Sequence, residues 1–341
     1  MRALINALRI HRRWLWLALV AGCSLAIALG ASFGEKRPRN LRAEDFKSLQ
    51  IALDVIERSA YYSDRIDWPV ARSTAFSKAD ESRAIDQALK DVLRQLGDSH
   101  SMYLGPEVVG RWDRDPRDAG ATISSWNRNG ITYVSIPTFN GTSETSSEAF
   151  AAGVRAALIT PDSNTACGWI VDLRENRGGN MAPMLQGVEA LIGTGVYFHW
   201  EQKQGLLDRW FGSSSRVPAW KISQSSTMVL DPRRPLAVLQ GPRTASAGEL
   251  LLISLRGRPN TRTFGEGTAG KPSGNEATWL PNGGVLALTI ALASDRSGKL
   301  WTGPIPADEH TPAPSPPATG DATLESAERW IRSFACSSKP A

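Results

Sequence analysis

The stretch TASAGELLLISL, Thr244 to Leu255, places one serine between two alanines at the head of an apolar run. Ser246 suits the N-cap of a buried helix, where a hydroxyl satisfies a free backbone N–H. The same position suits a nucleophile, held at the positive end of the helix dipole with backbone donors close by. Just ahead, PLAVLQG (Pro235 to Gly241) is a short apolar run with the length of a buried strand. The stretch is therefore the second half of a strand–loop–helix step, and the rest of the chain decides what the serine does there.

Similar steps flank it. ITYVSIPTF is β-rich, and SSEAFAAGVRAALI is helical, aligned on Phe150, Val154 and Leu158 and expected to start at Ser146 or Ser147. GWIVDLREN is a continuous apolar strand ending in charge, followed by an RGGN turn and the helix-like NMAPMLQGVEALIG. TRTFGEGTAGKPSGN and GGVLALTIALASDR add strands and loops. Apolar strands alternating with helices predict an α/β core with largely parallel pairing, residues 106–310. Residues 43–105 read as a helical subdomain, with Phe46, Leu49, Leu53 and Ile56, then Ile85, Leu89 and Leu93, at helical spacing. Residues 311–341 are a proline-rich linker and a short amphipathic helix, with Leu324, Trp330 and Ile331 expected to face inward.

Residues 1–42 are of another kind. Basic MRALINALRIHRR precedes an uncharged apolar run, Trp14 to Phe33, long enough to span a bilayer. Cationic residues ahead of it place the N-terminus in the cytoplasm and the bulk of the chain outside it, in the cell envelope. Three fates fit: retention as a signal anchor, which would tie the chain to the membrane through residues 14–33, cleavage near Gly30 or Ala31, or lipidation at Cys23. The formal charge is +5, but the excess is concentrated in this segment. The remainder is close to neutral, so nucleic acid is not an expected partner.

Two further cysteines, Cys167 and Cys336, form no framework but could pair in an oxidising compartment. The four histidines, His11, His100, His199 and His310, lack metal-site spacing, so no metal is expected. There is no GxGxxG and no P-loop, hence no nucleotide cofactor; none of any kind is expected.

Three segments carry the chemistry. Gly178 and Gly179 end the DLRENRGG segment, and paired glycines let backbone N–H groups point into a site with no Cβ in the way. They could form half an oxyanion hole, with the Ala247 N–H as the other half. Lys271, in TAGKPSG, would serve as a base for serine if burial stripped its proton. The order DLRENRGG, TASAGE, GEGTAGK, together with LGDSHSMYLGPE, resembles the tail-specific (C-terminal processing) serine proteases. The resemblance implies a crotonase-like α/β fold with Ser246 as nucleophile and oxyanion donors from the Gly178–Gly179 loop and Ala247. Such proteases usually carry a PDZ domain between the GDSHS-like segment and the YVSIPTF-like strand. Here only Met102 to Ile131 intervene, too short for that module. This chain is in that respect similar to the PDZ-less catalytic core of tricorn-type proteases, whose base is a histidine preceded by serine, as in Ser99–His100.

Two bases are therefore open. Lys271 matches a Ser–Lys dyad, with Glu249 as an assisting acid. His100 matches the tricorn-like arrangement, with Ser99 orienting the ring; Asp295 and Glu276 lie in loops that could also do so. Histidine needs no shift of pKa, whereas lysine must first be desolvated. The expected activity is hydrolysis of cell-envelope polypeptides through an acyl-enzyme. Its rivals are a non-catalytic ligand-binding protein on the same fold and a serine esterase or amidase of small molecules.

Overall fold

The structure, a computed structural model, describes residues 40–112, 122–159, 167–203, 216–222, 229–312 and 320–334. The expected membrane-spanning segment, the lipidation site Cys23, Cys336 and most of the proline-rich linker lie outside them. Among the described residues no helix is long and apolar enough to cross a membrane.

Three helices open the described chain: α1 (Ala43–Ser59), α2 (Trp68–Ser82) and α3 (Asp86–Leu96). They are followed by β1 (Met102–Leu104), α4 (Pro106–Trp112), β2 (Ser124–Arg128) and β3 (Ile131–Ser135). Next come α5 (Glu144–Leu158), β4 (Gly168–Asp172), α6 (Met181–Gly187), α7 (Glu189–Ile192), β5 (Gly195–Gln202) and β6 (Arg216–Ile222). The chain continues through β7 (Leu236–Gln240), α8 (Ala247–Arg256), β8 (Thr261–Gly265), β9 (Ser273–Trp279) and β10 (Val285–Ser294). β11 (Leu300–Trp301), β12 (Glu309–His310) and α9 (Ala322–Arg332) complete it.

Two sheets result. One runs β12-β8-β7-β4-β3-β2 and is parallel except for β2, as the apolar runs predict. The other, built around β10 with β1, β5, β6, β9 and β11, is antiparallel throughout. Alternation along β4 and β7 explains why these strands are apolar on both faces. Trp169, Val171, Leu236 and Val238 enter the main core with α5, α6 and α8, while Ile170, Ala237 and Leu239 pack with Phe264 and with Ala327 and Ile331 of α9. Leu324 and Trp330 also pack there, so the C-terminal helix presents the predicted face. The first three helices bury Leu49, Leu53, Ile56, Leu89 and Leu93 against Leu286 and Leu288 of β10.

Two local expectations are corrected. Helix α5 is capped by Ser143, whose Oγ accepts from the Ser146 N–H at 3.1 Å, so it starts ahead of Ser146 and Ser147. The run from Met181 to Ile192 is two helices, broken at Val188, whose φ of −94° and ψ of 6° leave the helical region.

Helix α9 is fastened by charge as well as by packing. Arg174, just after β4, donates to both oxygens of Asp172 and of Asp321, the α9 N-cap, at 2.7–3.1 Å. Asp172 is buried and also accepts from the Tyr133 hydroxyl at 2.8 Å. Removing the guanidinium strands a buried carboxylate, so Arg174→Ala should lower unfolding free energy by about 2 kcal/mol, read as a shifted urea midpoint.

Candidate active site

The loops that follow β3, β4, β7 and β8 meet at the carboxyl ends of the parallel strands, where open α/β sheets place their ligands. Asn176 joins three of them. Its side-chain amide donates to the carbonyls of Ile136 and Pro137, at 3.1 and 3.2 Å, and its Oδ1 accepts from the Gly178 N–H at 2.9 Å. Its carbonyl accepts from the Ala245 N–H at 3.0 Å. Asn176 is fully buried, and reasoning from the sequence misses it because nothing marks one asparagine in a charged loop as a three-way tie.

Ser246 heads α8 with φ 53° and ψ −121°, a conformation rare for a residue with a side chain. Such backbone costs on the order of 1–3 kcal/mol and persists only where surrounding bonds impose it. Here the bonds come from Glu249. Its carboxylate is fully buried and accepts four donors: the Ser246 N–H at 2.9 Å, the Lys271 N–H at 2.8 Å, the Gly270 N–H at 2.9 Å and the Thr268 hydroxyl at 2.5 Å. Burial raises the Glu249 pKa, and those hydrogen bonds oppose the shift. Glu249 thus reaches the main chain of Lys271, and no ion pair to the Lys271 ammonium is present among the described residues.

Of the glycine pair, Gly178 packs against the serine and Gly179 against Phe139. Gly178 has φ +97°, and a Cβ there would lie 2.8 Å from the Ser246 Cβ and 2.9 Å from the Ala245 carbonyl oxygen. Gly179 has φ +109°, and its Cβ would lie 2.1 Å from the Phe139 carbonyl oxygen. Only glycine fits either place. The two differ as donors. The Gly178 N–H is already given to Asn176, whereas the Gly178 carbonyl and the Asn180 N–H pair with Phe139, which turns the Gly179 N–H to the opposite side. Gly179 is also exposed and Gly178 buried. Among the described residues, the N–H groups of Gly179 and Ala247 have no intramolecular acceptor.

His100, Ser99 and Lys271 line one cavity of about 360 Å³ together with Tyr62, Asp98 and Ser273. Ser246 stands outside that lining, and no hydrogen bond joins it to His100 or Lys271. The structure therefore places both candidate bases, and not the candidate nucleophile Ser246, in the lining of that cavity. His100 is buried, and its Nδ1 lies 2.7 Å from Ser273 Oγ. The hydroxyl on the ring is thus Ser273 and not Ser99, which is exposed on the turn that the Asp98 carboxylate closes. Asp295 is engaged in its own turn, accepting from Ser297 and Lys299, and Glu276 is exposed on β9. Cys167, away from the site, is disulfide-bonded. Groups of His, Cys, Asp and Glu able to hold a metal are absent among the described residues.

Burial, and then the Lys271 charge, push the His100 pKa down to about 4, with Asp98 opposing. The ring is neutral at neutral pH and can accept a proton. Its folded pKa lies below the ordinary value near 6.5. The stability this group contributes is therefore complete above pH 6.5 and is lost as pH falls from there to about 4. Lys271→Met should raise the His100 titration midpoint toward 6.5, followed by NMR of the imidazole; an unmoved midpoint would leave burial as the whole cause. Glu249→Ala should cost about 3 kcal/mol or more, because the buried N–H groups of Ser246, Gly270 and Lys271 lose their acceptor. Chemical denaturation reads this directly.

Residues 130–310 match peptidase family S41. Over 337 residues the chain is 26% identical to a nisin-resistance protein of Lactococcus lactis subsp. lactis, covering 96% of this chain and 99% of that one. It is 28% identical over 168 residues to the chloroplastic carboxyl-terminal-processing peptidase 2 of Arabidopsis thaliana, which is 49% of this chain and 29% of that relative. Among solved structures, a lipoprotein from Streptococcus agalactiae superposes with a TM-score of 0.70 at 26% identity, over 86% of this chain and 98% of that one. With more than half of its length matched, the strained serine at the head of α8 included, the chain belongs to peptidase family S41 and is a serine peptidase.

Proposed function

We propose that this peptidase cleaves polypeptides of the cell envelope with Ser246 as nucleophile and His100 as general base. The observation that carries the reading is the neutral, buried His100 imidazole, held by Ser273 in the cavity beside the Ser246 turn. In this reading Ser246 Oγ attacks the peptide carbonyl, and His100 takes its proton and returns it to the leaving amine. The free N–H groups of Ala247 and Gly179 hold the oxyanion, and water then releases the acyl-enzyme. Gly178 shapes the loop and gives its own N–H to Asn176. Lys271 acts as a fixed positive charge in the cavity, and Glu249 as the strut that seats both Ser246 and Lys271.

The missing Ser246–His100 hydrogen bond does not oppose this, since catalytic hydrogen bonds commonly tighten only once substrate is bound. Lys271 as base is the second reading, favoured by its place on the same clamp as Ser246. The envelope location follows from the apolar Trp14–Phe33 segment and agrees with the likeness to a lipoprotein and to a nisin-resistance protein. That second name makes nisin a fitting substrate to try first.

A fluorophosphonate probe tests the assignment on the wild type and on Ser246→Ala, His100→Ala and Lys271→Ala. Labelling should vanish in Ser246→Ala and fall by about 100-fold or more in rate in His100→Ala, with Lys271→Ala retaining most of it. Loss in Lys271→Ala with retention in His100→Ala would exchange the two roles. A folded wild type that does not label would favour the ligand-binding rival.

A further inference from the structure

His100 is attached to β9 at two points, through residues two apart on one face of that strand. Ser273 Oγ lies 2.7 Å from the ring Nδ1, and the Asn275 side-chain amide donates to the His100 carbonyl at 2.8 Å. Asp98, Glu249 and Asp295 are each occupied elsewhere. Asp98 accepts from the main-chain N–H groups of His100 and Ser101 and from the Ser101 hydroxyl. Glu249 has its four donors, and Asp295 holds its turn. The partner on Nδ1 decides which ring nitrogen carries the proton, and a base acting through Nε2 needs that proton on Nδ1.

We propose that Ser273 is the positioning residue of His100, its hydroxyl oxygen accepting the Nδ1–H so that Nε2 keeps its lone pair for the proton of Ser246, while Asn275 fixes the main chain of the same histidine. The inference rests on His100 as base. A neutral hydroxyl in this place fits the surroundings. A carboxylate would favour the imidazolium and draw a second charge into a buried site that already faces Lys271. The hydroxyl orients the ring without adding charge, and it can accept the Nδ1–H of the neutral ring and of the transient cation alike, more strongly from the cation. Ser273 and Asn275 also tie the loop after α3, which carries His100, to β9. Strand β9 follows directly from the 268–271 segment that Glu249 seats, so clamp and base share one continuous stretch of backbone.

The test uses the full chain labelled with ¹⁵N-histidine, with the His100 resonances assigned by His100→Gln. Multiple-bond ¹H–¹⁵N spectra at pH 7 should show the Nδ1–H tautomer for His100 in the wild type. Ser273→Ala should shift the population toward Nε2–H and lower kcat by about 100-fold with KM little changed. Ser273→Thr, which keeps the hydroxyl, should restore both. An Nε2–H tautomer in the wild type, or an unmoved tautomer in Ser273→Ala, would overturn the proposal whatever the activities are. Full activity in His100→Ala would instead remove the base assignment on which the proposal stands, and the tautomer spectra would separate that failure from a failure of the hydroxyl to orient the ring.

Discussion

The carboxylate of Glu249 is the constraint on which the site depends. A buried carboxylate is strongly unfavourable unless its lone pairs are filled, and four donors fill these. Three of them are main-chain N–H groups from two separate loops, so one side chain sets the backbone of Ser246 and of Gly270–Lys271 together. It sits in the first turn of α8, where the helix dipole favours negative charge. The strained φ of Ser246 is stable in that setting, because releasing it would leave the carboxylate short of a donor in a dry environment. The geometry of the Ser246 turn and that of the Gly270–Lys271 loop are therefore one equilibrium, and side chains at a distance from the Ser246 hydroxyl can disturb it.

The polar ties spread outward from there in a definite order. Thr244 gives its hydroxyl to the Leu173 carbonyl, and its own carbonyl accepts from the Ala269 N–H. Asn176 links the loops after β3, β4 and β7, and its contact with Gly178 shapes the glycine turn. Each tie is buried, so a broken one exposes no compensating water, and each contributes more than a surface hydrogen bond would. The sheet supplies parallel strands ending at one edge; these side chains convert four loose loop ends into one surface.

How much of this is legible in the sequence depends on range. The strands β4 and β7 are apolar runs because both their faces are covered, and a run of that kind is visible without knowing what covers it. Ser246, Glu249 and the glycine pair are visible through the order of three short segments, and the parallel sheet through the alternation of strands with helices. Ser273 is hidden. It lies 173 residues from His100 in the chain, whereas Ser99 is its neighbour, and adjacency makes Ser99 the expected partner. The turn at Asp98 points Ser99 outward, and only the antiparallel pairing of β9 with β10 brings Ser273 to the ring. Asn176 is hidden for a similar reason, since its ties to the loops after β3, β4 and β7 are to backbone, which carries no sequence signature. The start of α5 is ambiguous in the sequence because three serines and two threonines compete there, and a hydroxyl caps only where its own residue is extended, as Ser143 is.

The two sides of the site also belong to different layers. His100 arrives on the loop that ends the helical N-terminal part and is tied to β9, while Ser246 arrives from the parallel sheet. Thr289 of β10 shows how the join is made: its N–H donates to the Ser101 hydroxyl and its own hydroxyl to Asn275 Oδ1, both at 3.0 Å, beside a register shift in the β9–β10 ladder. A bulge re-aims side chains at just such positions. The placement of His100 is thus set by ties from the loop after α3 to the antiparallel sheet. On the proposed assignment, the binding energy of a peptide substrate would be what draws His100 and Ser246 into contact.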